Sequence, residues 1–207
     1  MRIRISFSKT NAMRYTGHLD LFRAWERTFR RSGLPLAYSQ GFHPQPRLNL
    51  ACALPLGFTS ESEKLDAWLE QILPLEHIRQ SIMKTIPPGL EIHAIEVIDS
   101  HAPPLQTQVE SAIYLITFLD DIPDLDERLN RIKTAEHLPR IRRNKTYDLR
   151  PLIENLTLMN VESGNCWLQI QLSARESATG RPEEVLDEMG IKFEDTRVHR
   201  QQISYKD

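Results

Sequence analysis

The sequence has very little cysteine, and it lacks the common arrangements of metal ligands. Cys52 and Cys166 are its only two cysteines, and both lie in apolar surroundings, which favours buried thiols. There is no CxxC, CxxxCxxC or HxxxH pattern, so the chain offers no ligand cluster for zinc or an iron–sulfur centre. We therefore expect no metal and no cofactor on this chain.

Long apolar runs are also missing. Charged residues interrupt every hydrophobic segment before it reaches the roughly 18 residues needed to cross a membrane. The first residues, MRIRISF, alternate charged with apolar side chains and lack the apolar centre of a signal peptide. These absences predict a cytoplasmic protein that makes no membrane contact.

Several catalytic and binding signatures are absent as well. No GxGxxG, Walker loop or GxSxG occurs, which argues against nucleotide hydrolysis and serine-hydrolase chemistry. The aromatic residues do not form the signature of an RNA-recognition domain, so stacking of bases on a sheet is not supported.

The hydrophobic pattern predicts an α+β fold made of two similar halves. The chain of 207 residues is long enough for two domains of about a hundred residues each. Period-two alternation predicts strands, and apolar spacings of three and four predict helices. The first half has predicted strands at 3–7, 48–54, 63–69 and 90–98, with helices at 18–32 and 75–86. A short helix would also fit 63–69. The second half has predicted strands at 112–119, 146–159, 166–173 and 193–205, with helices beginning at 123 and spanning 182–189.

This order predicts two tandem ferredoxin-like (βαββαβ) units with antiparallel sheets. The first unit covers 1–98, the second covers 109–207, and the polar, proline-bearing stretch 99–108 is expected to be a linker.

Positive charge is concentrated at the start of the chain. The net charge is -2, but the first 50 residues contain nine Lys/Arg against two Asp/Glu, a local net charge of +7. Such an imbalance favours an anionic partner, and outward arginines on the helix 18–32 would contact several phosphates at once. A helix face that contacts only solvent would show the same pattern of arginines. The candidate nucleic-acid-binding residues are Arg14, Arg23, Arg27, Arg30, Arg31, Ser39, His43, Arg47, Arg142 and Arg143. The last two either extend this surface or edge a hairpin.

Two segments are candidates for chemistry. The stretch 38–47 (YSQGFHPQPR) reads as a stiff surface loop in which His43 and Arg47 project toward a ligand, or as a rigid connection with incidental polar residues. At the start of the helix 18–32, His18 and Asp20 could act as an acid and base pair. Dipole compensation by Asp20 and partial burial of His18 explain them equally well. His18, Asp20 and His43 are the only, and weak, catalytic candidates.

Several segments of the chain together resemble a known family, the radical-SAM-linked domain of unknown function, in its stand-alone form. They are YTGHLDL at 15–21, ERTFRRSGLP at 26–35, YSQGFHPQPR at 38–47, LPLG at 54–57, SESE at 60–63, IPPG at 86–89, YDLRP at 147–151 and RPEEVL at 181–186. The resemblance implies a partner, a radical SAM protein with a cobalamin-binding-like domain.

The resemblance and the charge together predict an accessory RNA-binding module that presents tRNA or rRNA to a radical SAM enzyme for modification. One alternative is a metal-independent RNA-processing enzyme of ferredoxin-like fold that uses His18 or His43, although the glycine-rich loop of such nucleases is missing. The other alternative is a structural subunit that binds only protein.

Overall fold

A computed structural model describes residues 1–160 and 166–206 of the chain. The chain divides into two units, residues 1–108 and residues 109–207, each with its own antiparallel strands and helices. The predicted α+β class is therefore confirmed, with mostly antiparallel strand pairing and four α-helices in the described residues. The finer assignment, two ferredoxin-like units in tandem, stays a prediction.

The first unit contains a four-stranded antiparallel sheet and two helices. In chain order its elements are β1 (Arg2–Lys9), α1 (His18–Ser32), β2 (Leu48–Leu50), β3 (Thr59–Trp68), α2 (Leu75–Met83) and β4 (Leu90–Ile98). Its strands lie side by side in the order β4, β1, β3, β2, and each neighbouring pair is antiparallel. The central strands are therefore β1 and β3.

One face of this sheet packs against α1 and forms the core of the first unit. Ile3, Ile5 and Phe7 are fully buried, as their alternation predicted. Trp25 of α1 is also fully buried, and its ring centre lies 4.9 Å from that of Phe7 in an edge-on arrangement. Burying each of these side chains contributes roughly 1.5–3 kcal/mol to stability. Because this stripe of α1 is committed to the core, its arginines lie on the outer face.

The segment 99–108, expected to be a linker, packs on the first unit. Leu105 is fully buried. The Arg2 guanidinium donates hydrogen bonds to the carbonyl oxygens of Ala102 (2.5 Å) and Pro103 (2.9 Å). Its polar, proline-bearing composition indicated irregular backbone, but irregular backbone is not the same as a free connection. The first unit accordingly extends ten residues beyond the predicted boundary, to residue 108.

The second unit contains the remaining strands and two helices. In chain order its described elements are β5 (Val109–Phe118), α3 (Leu125–Thr134), β6 (Pro139–Arg142), β7 (Lys145–Asp148), β8 (Ile153–Asn160), β9 (Cys166–Arg175), β10 (Ala178–Thr179), α4 (Pro182–Glu188) and β11 (Thr196–Tyr205). Its main strands lie in the order β11, β5, β9, β8, with antiparallel pairing throughout. β10 also pairs with β9, while β6 and β7 form a separate hairpin.

The predicted strand 146–159 consists of two strands, β7 and β8. A 3₁₀ turn over Arg150–Leu152 separates them, and Pro151 within it has no N–H group for a sheet ladder. β7 pairs instead with β6 through a tight turn in which Arg143 and Asn144 have φ of +50° and +62°. Two successive positive φ angles are typical of a type I′ hairpin turn. Arginine is not a residue that indicates this geometry, so the sequence predicts the hairpin as only one of two alternatives.

Two predicted elements of the first unit are shorter than expected. β2 ends at Leu50, yet Ala51 and Leu54 are buried, so their apolar character serves the core and not a strand. α2 ends at Met83, three residues before the predicted end. None of the described helices combines the length and apolar character that crossing a membrane requires.

Candidate nucleic-acid interface

The two arginines of β1 are used inside the first unit. Arg4 lies directly opposite Asp66 of β3. Asp66 is fully buried and accepts four hydrogen bonds, from Arg2 Nε (3.1 Å) and Nη2 (2.6 Å) and from Arg4 Nε (2.7 Å) and Nη2 (3.0 Å). Both guanidinium groups bond to the same buried carboxylate, so they contribute to the sheet and not to an anion-binding surface.

Lys9 and Arg14 hold together the loops at the start of α1. The buried Lys9 Nζ donates to the carbonyl oxygens of Thr16 (2.8 Å), Phe58 (3.0 Å) and Arg14 (3.3 Å). Arg14 Nε donates to the carbonyl oxygen of Gly57 at 3.1 Å, and the Gly57 N–H donates back to the Arg14 carbonyl at 3.0 Å. Arg14, predicted to bind nucleic acid, therefore fastens one loop to another.

His18 and Asp20 are not arranged as an acid and base pair. His18 is the first residue of α1, and Asp20 lies two positions later, a spacing at which helical side chains do not face each other. The Asp20 carboxylate instead pairs with Arg23 at 3.3 Å, with 66% of the Asp20 and 63% of the Arg23 side chain exposed. Arg23 is thus partly neutralised, although both groups remain accessible.

Three arginines on the outer face of α1 have no ion pair among the described residues. They are Arg27, Arg30 and Arg31, and all three are exposed. Spacings of three and four place their Cβ atoms about 5–6 Å apart, where each pair of like charges costs about 0.2–0.5 kcal/mol. The helix dipole favours the two in the last turn. The result is a positive surface that an external anion would neutralise.

The loop 38–47, called here the His–Pro loop, has a fixed stem. Tyr38 and Pro46 form an antiparallel bridge. The Ser39 N–H donates to the Gln45 carbonyl at 2.8 Å, and the Gln45 N–H donates to Ser39 Oγ at 2.9 Å. Ser39, predicted to contact nucleic acid, therefore closes the stem of this loop with its own side chain.

The tip of the His–Pro loop is fully open to solvent. Gly41 has a φ of +136°, a conformation that L side chains rarely adopt. Phe42 has a relative exposure of 102%, and His43 beside it is also exposed. An aromatic ring and an imidazole are thus presented outward from a stem held by hydrogen bonds.

Arg47 is exposed but oriented by an aromatic ring. Its Cζ atom lies 4.9 Å from the centre of the Trp68 ring, and Arg2 Cζ lies at 4.9 Å from the same ring. The backbone is fixed too: the Arg47 N–H donates to the Ala37 carbonyl (2.8 Å), and the Trp68 N–H donates to the Arg47 carbonyl (3.1 Å). A cation–π contact of this kind contributes about 0.5–1 kcal/mol at an exposed site. The guanidinium is therefore held in place while its outer N–H groups stay accessible.

The predicted site residues of the first unit lie at two different ends of α1. The helix of 15 residues is about 22 Å long. His18 and Asp20 lie in its first turn, whereas Arg30 and Arg31 lie in its last turn, close in sequence to the His–Pro loop. His18 and His43 therefore do not share one site.

The segment of the chain that carries the His–Pro loop contains no acidic residues. Between Glu26 and Glu61 the sequence contains four arginines and no Asp or Glu. The four are Arg27, Arg30, Arg31 and Arg47. They are the members of the predicted set in this unit that remain exposed without a carboxylate partner.

Arg142 of the second unit is a structural residue. Its guanidinium bonds to the Glu184 carboxylate (2.6 Å), to Tyr147 Oη (2.9 Å) and to the Thr179 carbonyl (3.0 Å). Burial, and next the neighbouring Glu184 carboxylate, raise the pKa of Tyr147 to about 12. Arg142 thus fastens the β6–β7 hairpin to the unit, and of the two predicted arginines only Arg143, at the turn, is exposed.

A family model identifies the chain. The model, described as an uncharacterized protein conserved in bacteria (DUF2344), matches residues 2–182. The chain belongs to this family. Nothing in the DUF2344 description refers to radical SAM chemistry, so the radical SAM link stays a prediction. No curated protein matches the chain.

Solved structures add only distant likenesses to this DUF2344 chain. A chain of a Cbf5-Nop10-Gar1 complex aligns at 9% identity with a TM-score of 0.47, over 98% of this chain and 47% of its own length. This chain thus spans about half the length of that one. The small subunit of acetolactate synthase from Thermotoga maritima aligns at 11% identity with a TM-score of 0.28, over 99% of this chain and 94% of its own. Neither likeness carries an argument about function.

Sequence reasoning assigned no role to three residues that shape this surface. Asp66 removes two arginines from it, Trp68 orients Arg47, and Phe42 stands at its most exposed point. The pairing of Asp66 with these arginines can be recognised only when the register of β1 against β3 is known. Phe42 carried a signal, since an apolar residue between Gly and His in a polar loop has no core to enter.

Proposed function

We propose that this DUF2344 chain is an accessory RNA-binding module that acts with a radical SAM protein, one with a cobalamin-binding-like domain, in RNA modification. The RNA would be structured, such as tRNA or rRNA. Its contact surface would be the end of the first unit formed by the outer face of α1 and the His–Pro loop.

One observation carries the RNA part of this proposal. Of the nine cations in the first 50 residues, five bond to groups of the protein itself, and the other four are exposed within the acid-free stretch 27–60. Guanidinium groups without an ion pair suit phosphates because they donate several N–H bonds in one plane. Glu26 directly precedes Arg27, yet none of these four arginines forms an ion pair among the described residues.

Salt dependence tests the phosphate contacts. Each contact adds about 0.7–0.9 to the steepness of log affinity against log salt. We expect the R27A/R30A/R31A variant to lose about 2–3 units of that slope, measured by fluorescence anisotropy with a short labelled RNA hairpin. The proposal is refuted if the native chain does not bind this RNA at low salt, or if the variant keeps the full slope.

A charge-matched variant serves as the control. K133A/K145A/K192A also removes three exposed cations, but from the second unit. If it lowers the slope as much as the arginine variant does, the RNA is responding to overall charge, and the surface proposed here is wrong. Far-UV circular dichroism and urea midpoints of both variants verify that the fold is intact.

The partner part of the proposal rests on the family resemblance and on exposed apolar side chains near the start of α1. Tyr15 and Leu56 are exposed by 75% and 58% on the loops that Arg14 and Gly57 join, and Leu19, in the first turn of α1, is exposed by 71%. Monomers seldom gather large exposed apolar residues without a binding role. Copurification of a radical SAM protein with the chain would support this part, and recovery of the chain alone would count against it.

The enzyme alternative receives less support. An RNA-processing site needs an acid and a base within reach of one reacting group, but His18 and His43 lie at opposite ends of α1. His43 alone lies on the proposed RNA surface. RNA cleavage by the native chain that disappears in H43A but not in H18A would favour this alternative over simple binding.

We also propose that each unit is ferredoxin-like. In the first unit the four strands lie in the order fourth, first, third, second, counted along the chain. The main strands of the second unit, β5, β8, β9 and β11, follow the same rule. This antiparallel order is the one that a βαββαβ unit is expected to give. The hairpin β6–β7 and the short β10 would then be additions to the second unit.

A further inference from the structure

The most exposed large apolar side chain among the described residues is Phe42. Its relative exposure of 102% exceeds that of Ile72 (87%), Ile141 (77%) and Tyr15 (75%). The ring therefore contributes nothing to a core. An aromatic residue in such a place is explained either by chance or by a partner that covers it.

The ring is presented by a stiff support. The Ser39–Gln45 hydrogen-bond pair and the Tyr38–Pro46 bridge fix the stem, and Pro44 restricts the backbone directly after the tip. A ring on a fixed stem loses little conformational entropy when it is bound, which strengthens any stacking contact. Because the ring itself packs against no core, removing it should leave stability within about 0.5 kcal/mol of the native value.

The residues around Phe42 favour one kind of binding partner. His43 follows it directly, Arg47 closes the same loop on the Trp68 ring, and no acidic residue occurs between residues 27 and 60. An open aromatic face with an oriented guanidinium in the same loop matches what an unpaired base and its adjacent phosphates require. A paired base inside a duplex offers no free face to such a ring.

We infer that Phe42 stacks on an unpaired base, so that the chain prefers RNA with a single-stranded stretch over fully paired RNA. This inference rests on the proposed function, because it assumes that RNA occupies this end of the first unit. It goes further in assigning the tip of the His–Pro loop to base stacking and in naming the class of RNA that is selected.

The test compares two RNAs and four variants. The probes are a labelled single strand of oligouridylate and a labelled RNA duplex of the same length. We expect F42A to lose roughly 5- to 150-fold in affinity for the single strand and little for the duplex. F42Y should retain most of the affinity because its ring still stacks, whereas F42L should not. I72A, which removes another exposed apolar side chain, is the matched control and should bind both probes as the native chain does.

The outcomes separate this inference from the proposed function. Undiminished single-strand binding by F42A or full rescue by F42L overturns the stacking role but leaves RNA binding by the arginines standing. An equal loss of affinity for both probes also overturns it, since the ring would then not distinguish an unpaired base from a paired one. If the native chain binds neither probe, the proposed function itself fails. If F42A keeps its RNA affinity but no longer copurifies with a protein partner, the tip is a protein contact.

Discussion

The buried carboxylate of Asp66 offers the sharpest test of how the first unit is held together. It accepts four hydrogen bonds from two guanidinium groups, and the Arg2 and Arg4 side chains are only 1% and 11% exposed. Asp66→Ala removes the carboxylate that accepts these four hydrogen bonds and leaves both guanidinium groups in a site with little water. The Arg2 bonds to the carbonyls of residues 102 and 103 remain, and they compensate only in part.

Removing one partner of a buried ion pair costs about 3–5 kcal/mol, because the other partner stays desolvated and uncompensated. That is a large share of the roughly 5–15 kcal/mol by which domains are usually stable. With a urea dependence of about 2 kcal/mol per molar, the unfolding midpoint of the first unit should fall by about 1.5–2.5 M. Asp66→Asn keeps one acceptor oxygen, so its unfolding midpoint should lie between those of the native chain and of Asp66→Ala.

Tryptophan fluorescence during urea unfolding measures this effect. Trp25 and Trp68 belong to the first unit, and Trp167→Phe removes the signal of the second. The control is Asp20→Ala, which breaks an ion pair of the same kind whose partners are about two-thirds exposed, and which should cost at most about 1 kcal/mol. If Asp66→Ala and Asp20→Ala shift the midpoint equally, burial does not govern the strength of these pairs and the reasoning is wrong.

Two further predictions concern a carboxylate and a glycine. The hydrogen bond from the Leu138 N–H is the largest of the effects that lower the pKa of Asp148 to about 2. This carboxylate therefore stabilises the second unit at pH values above its ordinary pKa of about 3.9, and the stabilisation is lost as the pH falls toward about 2. Asp148→Asn should flatten the acid-unfolding curve in that interval, and an unchanged curve would contradict the assignment. Gly89 has a φ of +94°, and an added Cβ would lie 2.6 Å from Met13 Cγ. Gly89→Ala should therefore lower the free energy of unfolding, measured by urea titration, by roughly 1–3 kcal/mol more than Gly33→Ala does. Gly33 shares the positive φ but has open space around it.

Local pattern predicted the elements that depend on local physics. The spacing of apolar residues gave α1 its observed bounds, because Trp25 and Phe29 lie on one stripe and Gly33 can adopt the left-handed conformation that ends the helix. The alternation from Leu90 to Ile98 gave β4 in the same way. Where a turn was made by unusual residues, as at Arg143, pattern alone did not decide the structure.

The use of each charged side chain could not be predicted, because it depends on non-local pairing. Arg4 meets Asp66 only through the register of β1 against β3, and a shift of one residue would have turned these side chains to the opposite face. Arg142 meets Glu184 through residues 42 positions apart in the chain. A count of basic residues in the sequence therefore overestimated the cations that are available to a partner.

The correction has a quantitative consequence for any RNA that binds. Nine cations acting together would give a dependence of log affinity on log salt of about -6 to -8. The four exposed arginines of the stretch 27–60 can supply only about -2.8 to -3.6, since each phosphate contact contributes about 0.7 to 0.9. A measured slope near -3 agrees with binding at this one end of the first unit. A slope steeper than about -5 requires additional cations, for example Arg143 of the second unit, and would mean that the RNA surface extends well beyond α1 and the His–Pro loop.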